Sequence, residues 1–168
     1  MKKILILLIL IGFGQTYSQV VYENSINKVD VINSPDGSLK LEISVNNGEA
    51  FYSLYKNEKI IIKDSRLGII SDKFDLSKGF NVKKLSKDTY NETWTQVWGE
   101  QKNVINNYNE TVLDLSSDNT KFEMKIYFRL FDDGLGFRYN VYQGEKNIPF
   151  NIMDEITEFN FVEDSESW

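Results

Sequence analysis

The sequence predicts an all-β protein, an antiparallel β-sandwich. Apolar residues alternate at period two in several short stretches. Asn, Asp and Gly clusters separate those stretches at roughly ten-residue spacing, as in a meander of short strands. Nowhere does a 3.6-residue apolar period persist over three turns, so no long amphipathic helix competes for the core. Two sheets that each bury one face against the other are the natural solution for such a pattern.

The elements follow in order. Lys2 and Lys3 form a positive n-region, residues 4–13 an apolar h-region, and Thr16-Tyr17-Ser18 a small-x-small cleavage site, the anatomy of a secretory signal peptide. An apolar run this short falls well below the roughly 20 residues a membrane span needs. Residues 1–18 are therefore expected to be removed, and residues 19–168 to form one exported domain, periplasmic or secreted. Residues 20–33 read as a polar lead-in. Ser34-Pro35-Asp36-Gly37 is a turn with Pro second and Gly fourth. Leu39, Leu41, Ile43 and Val45 then alternate with Lys40, Glu42 and Ser44 along a strand. Asn46-Asn47-Gly48 turns the chain into a strand over 50–55, and Lys56-Asn57-Glu58 turns it into Ile60-Ile61-Ile62.

Residues 66–70 give another short strand. Residues 71–92 carry Lys and Asp clusters around Phe74, Leu76 and Phe80, and read as a long surface connection with one or two strand fragments. Strands are expected over 93–97 and 104–115. The strongest hairpin spans 121–142: Phe122, Met124, Ile126, Phe128 and Leu130 share one face, Asp132-Asp133-Gly134 turns, and Leu135, Phe137, Tyr139 and Val141 alternate on the return. Residues 151–159 are the only plausible helical fragment. The chain stops on Trp168 without a closing turn, which reads as a sandwich whose last strands are missing.

Composition excludes several functions. The 168 residues carry a formal charge of −6, which becomes −8 once Lys2 and Lys3 leave with the signal. A chain this acidic repels phosphate backbones, so nucleic acid is not an expected partner. There is neither His nor Cys. Serine and cysteine nucleophile systems that use His drop out, as do zinc sites built on imidazole or thiolate and any histidine base. Without disulfides, an exported domain must hold together by burial, and 14% aromatic content supplies the material.

The site candidates lie in Thr93-Trp94-Thr95-Gln96-Val97-Trp98-Gly99-Glu100. A flat indole matches the C–H face of a pyranose, so Trp98, and secondarily Trp94, are candidate sugar platforms. The alternative is structural: core packing, since residues four apart on a strand share a face and both rings could fill the sandwich, or a domain interface. Glu100 follows a glycine that admits close backbone approach, and suits a hydrogen bond to a sugar hydroxyl. Arg129 and Arg138 are expected to pair with carboxylates or loop carbonyls. Asp132 and Asp133 are turn residues and by themselves do not make a calcium site, which needs several converging oxygens. No catalytic residue and no metal ligand is assigned.

Taken in order, Ser-Pro-Asp-Gly before an alternating strand, the 92–100 segment, Asn106-Asn107-Tyr108-Asn109-Glu110, and Phe128-Arg129-Leu130-Phe131-Asp132-Asp133-Gly134-Leu135-Gly136-Phe137-Arg138-Tyr139 resemble the N-terminal domain of glycoside hydrolase family 97. The resemblance covers the chain from about Asn33 onward. It implies a supersandwich of the galactose-mutarotase type, placed before a (β/α)8 barrel that holds the catalytic carboxylates. It also implies exported, calcium-dependent exo-acting enzymes on α-linked glucosides or galactosides, with calcium as the parent enzyme's cofactor and no calcium site in this segment. The expected partners are then a carbohydrate and the missing barrel of the same polypeptide, and the segment alone is expected to be inactive. Two other readings stay open: a secreted structural or adhesive sandwich without a sugar role, and a mutarotase-type epimerase. The absence of His speaks against the second, since aldose ring opening favours a group titrating near neutrality.

Overall fold

A computed structural model of the chain describes residues 28–99, 102–145 and 147–162. The expected signal segment, Glu100 and the acidic end from Glu163 onward lie outside the described residues. Eleven strands follow one another without a helix among those described: β1 (Lys28–Asn33), β2 (Leu39–Asn46), β3 (Glu49–Lys56), β4 (Lys59–Leu67), β5 (Ile69–Ser71), β6 (Asp75–Leu76), β7 (Phe80–Thr95), β8 (Asn103–Ser117), β9 (Glu123–Leu130), β10 (Leu135–Tyr142) and β11 (Ile152–Glu155). They form a first sheet in the order β1-β2-β3-β4, a second in the order β10-β9-β8-β7, and a small third sheet in the order β11-β5-β6. Every pairing is antiparallel. This is the all-β sandwich that the sequence predicts.

Local chemistry sets the meander. Asn46 pairs with Glu49 and Lys56 with Lys59, so each hairpin has a two-residue loop. Both loops take positive φ at both positions: 51° and 76° at Asn47 and Gly48, 48° and 65° at Asn57 and Glu58. That is the loop whose twist matches the strands it joins. In the first turn, Ser34 Oγ donates to Asp36 Oδ1 (2.7 Å), as does the Ser38 amide (2.8 Å). The side-chain bond to Ser34, then that to the Ser38 backbone, lowers the Asp36 carboxyl to about 2. The Asp36 amide in turn donates to Asp132 Oδ1 at 2.8 Å, so the β9–β10 turn is tied to the first sheet.

Alternation along the strands makes the core. β2 and β9 bury every second residue. Leu41 and Ile43 from one sheet, and Leu113, Leu115, Met124, Ile126, Phe128 and Leu130 from the other, are fully buried in one cluster. Truncating any such Leu or Ile to Ala costs about 2–5 kcal/mol. Phe137 and Tyr139 pack against this cluster, and the Tyr52 and Phe137 rings meet 5.6 Å apart.

Three elements differ from the sequence reading. Residues 71–92 are no surface connection: β7 begins at Phe80 and runs unbroken for 16 residues. Residues 151–159 are not helical. β11 pairs with β5, and the Ile156 and Glu158 amides donate to the Gly68 and Arg66 carbonyls (3.1 and 2.9 Å), so this stretch spends its backbone donors on neighbouring chain rather than on itself. The polar lead-in ends in a strand, because β1 finds a ladder along β2.

Candidate functional site

β7 and β8 are twice as long as the strands beside them, and the excess projects. β9 ends where Leu130 pairs with Asn109, whereas the β7–β8 ladder continues to Thr95 opposite Asn103. The six residues beyond Asn109 carry a two-stranded arm roughly 20 Å past the sandwich, at about 3.3 Å per residue. Its tip closes with the Gln96 amide donating to the Lys102 carbonyl at 2.9 Å.

The arm's root is clamped on both faces. On the inner side, Lys87 pairs with the buried Asp30 of β1, Thr111 Oγ1 donates to Asp30 Oδ2 (3.1 Å), and Asn109 Nδ2 donates to the Asn33 carbonyl (2.8 Å). On the outer side, Tyr90 and Tyr108 stack at 4.8 Å, and Phe131 tilts against Tyr108 at 5.0 Å. The Arg129 guanidinium lies 4.8 Å above the Tyr108 ring, and Arg129 Nε donates to Glu110 at 2.7 Å. Register puts Tyr90, Glu92 and Trp94 on one face with Tyr108, Asn106 and Val104. That face runs from the Tyr90–Tyr108 pair, through Glu92 and Asn106, to Trp94.

Trp94 is 52% exposed and Trp98 89% exposed. The core-filling alternative for these two rings is thereby overturned. β7 ends at Thr95, so Trp98 sits in the tip turn and does not share a strand face with Trp94. Val97, beside it, is 91% exposed. Gly99 has φ 142°, which a residue with a Cβ adopts only under strain. Glu100 lies outside the described residues, so its side chain is not brought to any site here. Arg129 makes the expected carboxylate pair with Glu110. Arg138 does not: its guanidinium lies 3.9 Å over the Tyr127 ring. Asp132 exceeds the turn role through its bond to Asp36. The sequence reading missed the Tyr90–Tyr108–Phe131 stack. Its signal was the 90/92/94 alternation, hidden among the charges of residues 83–92.

Several side chains titrate away from their ordinary values. Burial pushes the Tyr52 and Tyr139 phenols up to about 12. The charges of Asp88 and Glu110 raise Tyr90, and the bond to Glu110 raises Arg129. Hydrogen bonds lower Asp72 and Glu123, from the Asn151 amide and the Lys83 ammonium respectively. Each of these shifts moves a group away from neutrality, whereas a general acid or base must titrate near it. The described residues gather no group of three or more acidic side chains able to hold a metal ion. The arm carries two exposed indoles, Trp94 and Trp98.

Comparison with known proteins agrees with this architecture. Residues 32–168 match the family described as glycosyl-hydrolase 97 N-terminal. Among solved structures, the chain is similar to a glycoside hydrolase family 97 enzyme from Pseudoalteromonas sp. strain K8, determined with panose as an E480Q variant and also with acarbose. In each case the identity is 31% and the TM-score 0.72, over 79% of this chain and 20% of the enzyme. It is also similar to a beta-arabinopyranosidase, with 27% identity and a TM-score of 0.72, over 80% of this chain and 21% of that one. The chain thus spans about a fifth of the length of these enzymes. With the match over residues 32–168 and the likeness to solved family 97 structures in agreement, the chain belongs to the N-terminal domain family of the family 97 glycoside hydrolases.

Proposed function

We propose that this chain is the accessory, carbohydrate-contacting domain of an exported family 97 exo-α-glycosidase, non-catalytic by itself. In this reading, residues 1–18 direct export to the periplasm or beyond and are cleaved. The arm carries Trp98 and Glu100 to the mouth of the catalytic barrel, where the indole covers the C–H face of an α-linked glucoside or galactoside and Glu100 accepts from a hydroxyl. The observation that carries the reading is Trp98, almost fully exposed at the end of an arm clamped at its root. A large indole in water has no stabilising role in the sandwich, and exposed aromatics on a rigid scaffold suit binding. Domain interfaces are preferred places for pockets. Calcium enters as a cofactor of the whole enzyme.

The test uses the whole enzyme and the isolated chain side by side. Trp98→Ala and Glu100→Gln in the whole enzyme should each raise KM or lower kcat by about tenfold, the 1.4 kcal/mol scale of one charged hydrogen bond or one stacked ring. Melting temperature should hold within about 2 °C. The isolated chain should hydrolyse no aryl α-glucoside or α-galactoside, with or without calcium. Unchanged kinetics in both variants would assign the arm to scaffold, the structural reading. Turnover by the isolated chain, abolished by replacing one of its carboxylates, would make it an enzyme in its own right.

A further inference from the structure

The outer face of the second sheet holds a second feature, apart from the arm tip and independent of the role of Trp98. Tyr127, Arg129, Phe131, Gly136 and Arg138 line a cleft of about 290 Å3. Register explains it. Glu110, Arg129 and Gly136 are successive partners across β8, β9 and β10, and Val112, Tyr127 and Arg138 form the next row. Arg129 thus has a carboxylate on one side and a glycine on the other. The backbone does not demand that glycine, since its φ is not in the left-handed region. Packing does not demand it either, because a Cβ there would meet nothing within 4 Å. A glycine weakens a strand interior, and one unexplained from within marks close approach from outside.

The charges above this floor select the visitor. Of the three cations on β9 and β10, Lys125 reaches Asp114 (3.8 Å) and Arg129 reaches Glu110 (2.7 Å). Among the described residues, Arg138 has no carboxylate. Its guanidinium lies 3.9 Å from the centre of the Tyr127 ring, a cation–π contact that leaves its N–H donors available. A neutral sugar calls for acceptors as well as donors, and Glu110 is already engaged by Arg129. The cleft is therefore donor-rich, with one uncompensated positive charge in a chain of net −6. We propose that the cleft above Gly136 is a carboxylate-binding site, with the Arg138 guanidinium as its anchor. Two ligands carry that chemistry: a uronic acid, and an Asp or Glu side chain of a neighbouring polypeptide segment.

The proposal is tested on the 168-residue chain by 15N–1H NMR, titrating sodium glucuronate, sodium acetate and glucose at constant ionic strength. Glucuronate should shift the Gly136 and Arg138 amides and the Arg138 side-chain Nε–H, saturating with a Kd of about 1–10 mM. Arg138→Gln should weaken this at least about tenfold, the scale of a charge-assisted hydrogen bond. Gly136→Val should abolish it while raising Tm by about 2–4 °C, because a strand gains a β-branched residue. A glucuronate affinity at least tenfold above acetate would identify an acidic sugar. Equal affinities would show that the carboxylate alone is read, as an Asp or Glu side chain would present it, and exclude an acidic-sugar site. The proposal is overturned if neither anion gives saturable shifts, if glucose gives the same shifts, or if Arg138→Gln binds as tightly as the parent chain.

Discussion

Removing the Tyr108 ring is the sharpest way to ask whether the arm is held at its root. Tyr108 is only 3% exposed, although the strand beyond it leaves the sandwich. Three groups close over it: Tyr90 at 4.8 Å, Phe131 at 5.0 Å and the Arg129 guanidinium at 4.8 Å. Truncating a buried aromatic costs about 3–5 kcal/mol. The Tyr90 stack supplies about 0.5–1.5 kcal/mol of that, and the cation over the ring about 0.5–1 kcal/mol. Tyr108→Ala should therefore lower the unfolding free energy by about 3–5 kcal/mol, a large share of the 5–15 kcal/mol typical of a domain. A cycle with Tyr90→Ala should return a coupling of about 0.5–1.5 kcal/mol. Urea unfolding measures both. Hydrogen exchange adds the local readout: amides of residues 91–95 and 103–107 should lose protection by a larger factor than those of 113–117. A cost below about 1 kcal/mol, or equal exchange changes in arm and sandwich, would refute a root held by this stack.

Two further predictions follow from the turns. The Asp36 carboxyl is held at about 2, against an ordinary 3.8, by Ser34 and the Ser38 amide. A depressed pKa contributes stability that is complete above the ordinary value and disappears as pH falls towards the folded one. Melting temperature measured against pH should thus show Asp36→Asn less stable than the parent chain above about pH 4, with the two converging by about pH 2. A constant difference across that window would remove Asp36 as the cause. At Gly79, φ is 73° and a Cβ would lie 2.5 Å from Asn119 Nδ2. Gly79→Ala should cost about 1–3 kcal/mol in chemical denaturation, from strain and the displaced amide, whereas Gly134→Ala, with open space around it, should cost less.

What was legible in the sequence was whatever buries one face. β9 alternates residue by residue between half-buried and buried, so its hydrophobic pattern and its structure are the same statement. The Asn-Gly turn between β2 and β3 was legible for an equally local reason, positive φ at both loop residues. β7 was not. Only Phe80 on it is buried, because most of the strand lies along an exposed edge or in the arm. With only Phe80 and Leu85 reaching the core, its alternation is faint and lies among charges, and the partner β8 is what defines the strand. β11 failed similarly: all four of its residues are exposed, so Ile152, Met153 and Ile156 imitate a helical spacing that no buried face enforces. The candidate segment was legible as Trp-rich and polar, but not whether its rings enter the core: Trp94 escapes it because the β7–β8 ladder runs past the end of β9, and Trp98 because β7 stops at Thr95.

The same pairing explains why the arm depends on its base. A two-stranded ribbon is marginally stable alone, so one extending roughly 20 Å from its sheet at strand rise holds direction only if its base is fixed against rotation. Fixing it on one face would leave it free to hinge. Here the inner face is tied to β1 through Lys87–Asp30 and Asn109–Asn33, and the outer face is tied to β9 and its turn through the Tyr90–Tyr108–Phe131 stack and Arg129–Glu110. Charged and amide contacts set the inner orientation, and aromatic burial supplies most of the outer energy. Removing either set alone should leave the sandwich folded and let the arm swing. On a Trp168→Phe background, the indole anisotropy of Trp94 and Trp98 would then fall when Lys87→Met and Asn109→Ala are combined, with the far-UV spectrum unchanged. An anisotropy equal to that of the parent chain would mean that the outer stack is sufficient by itself.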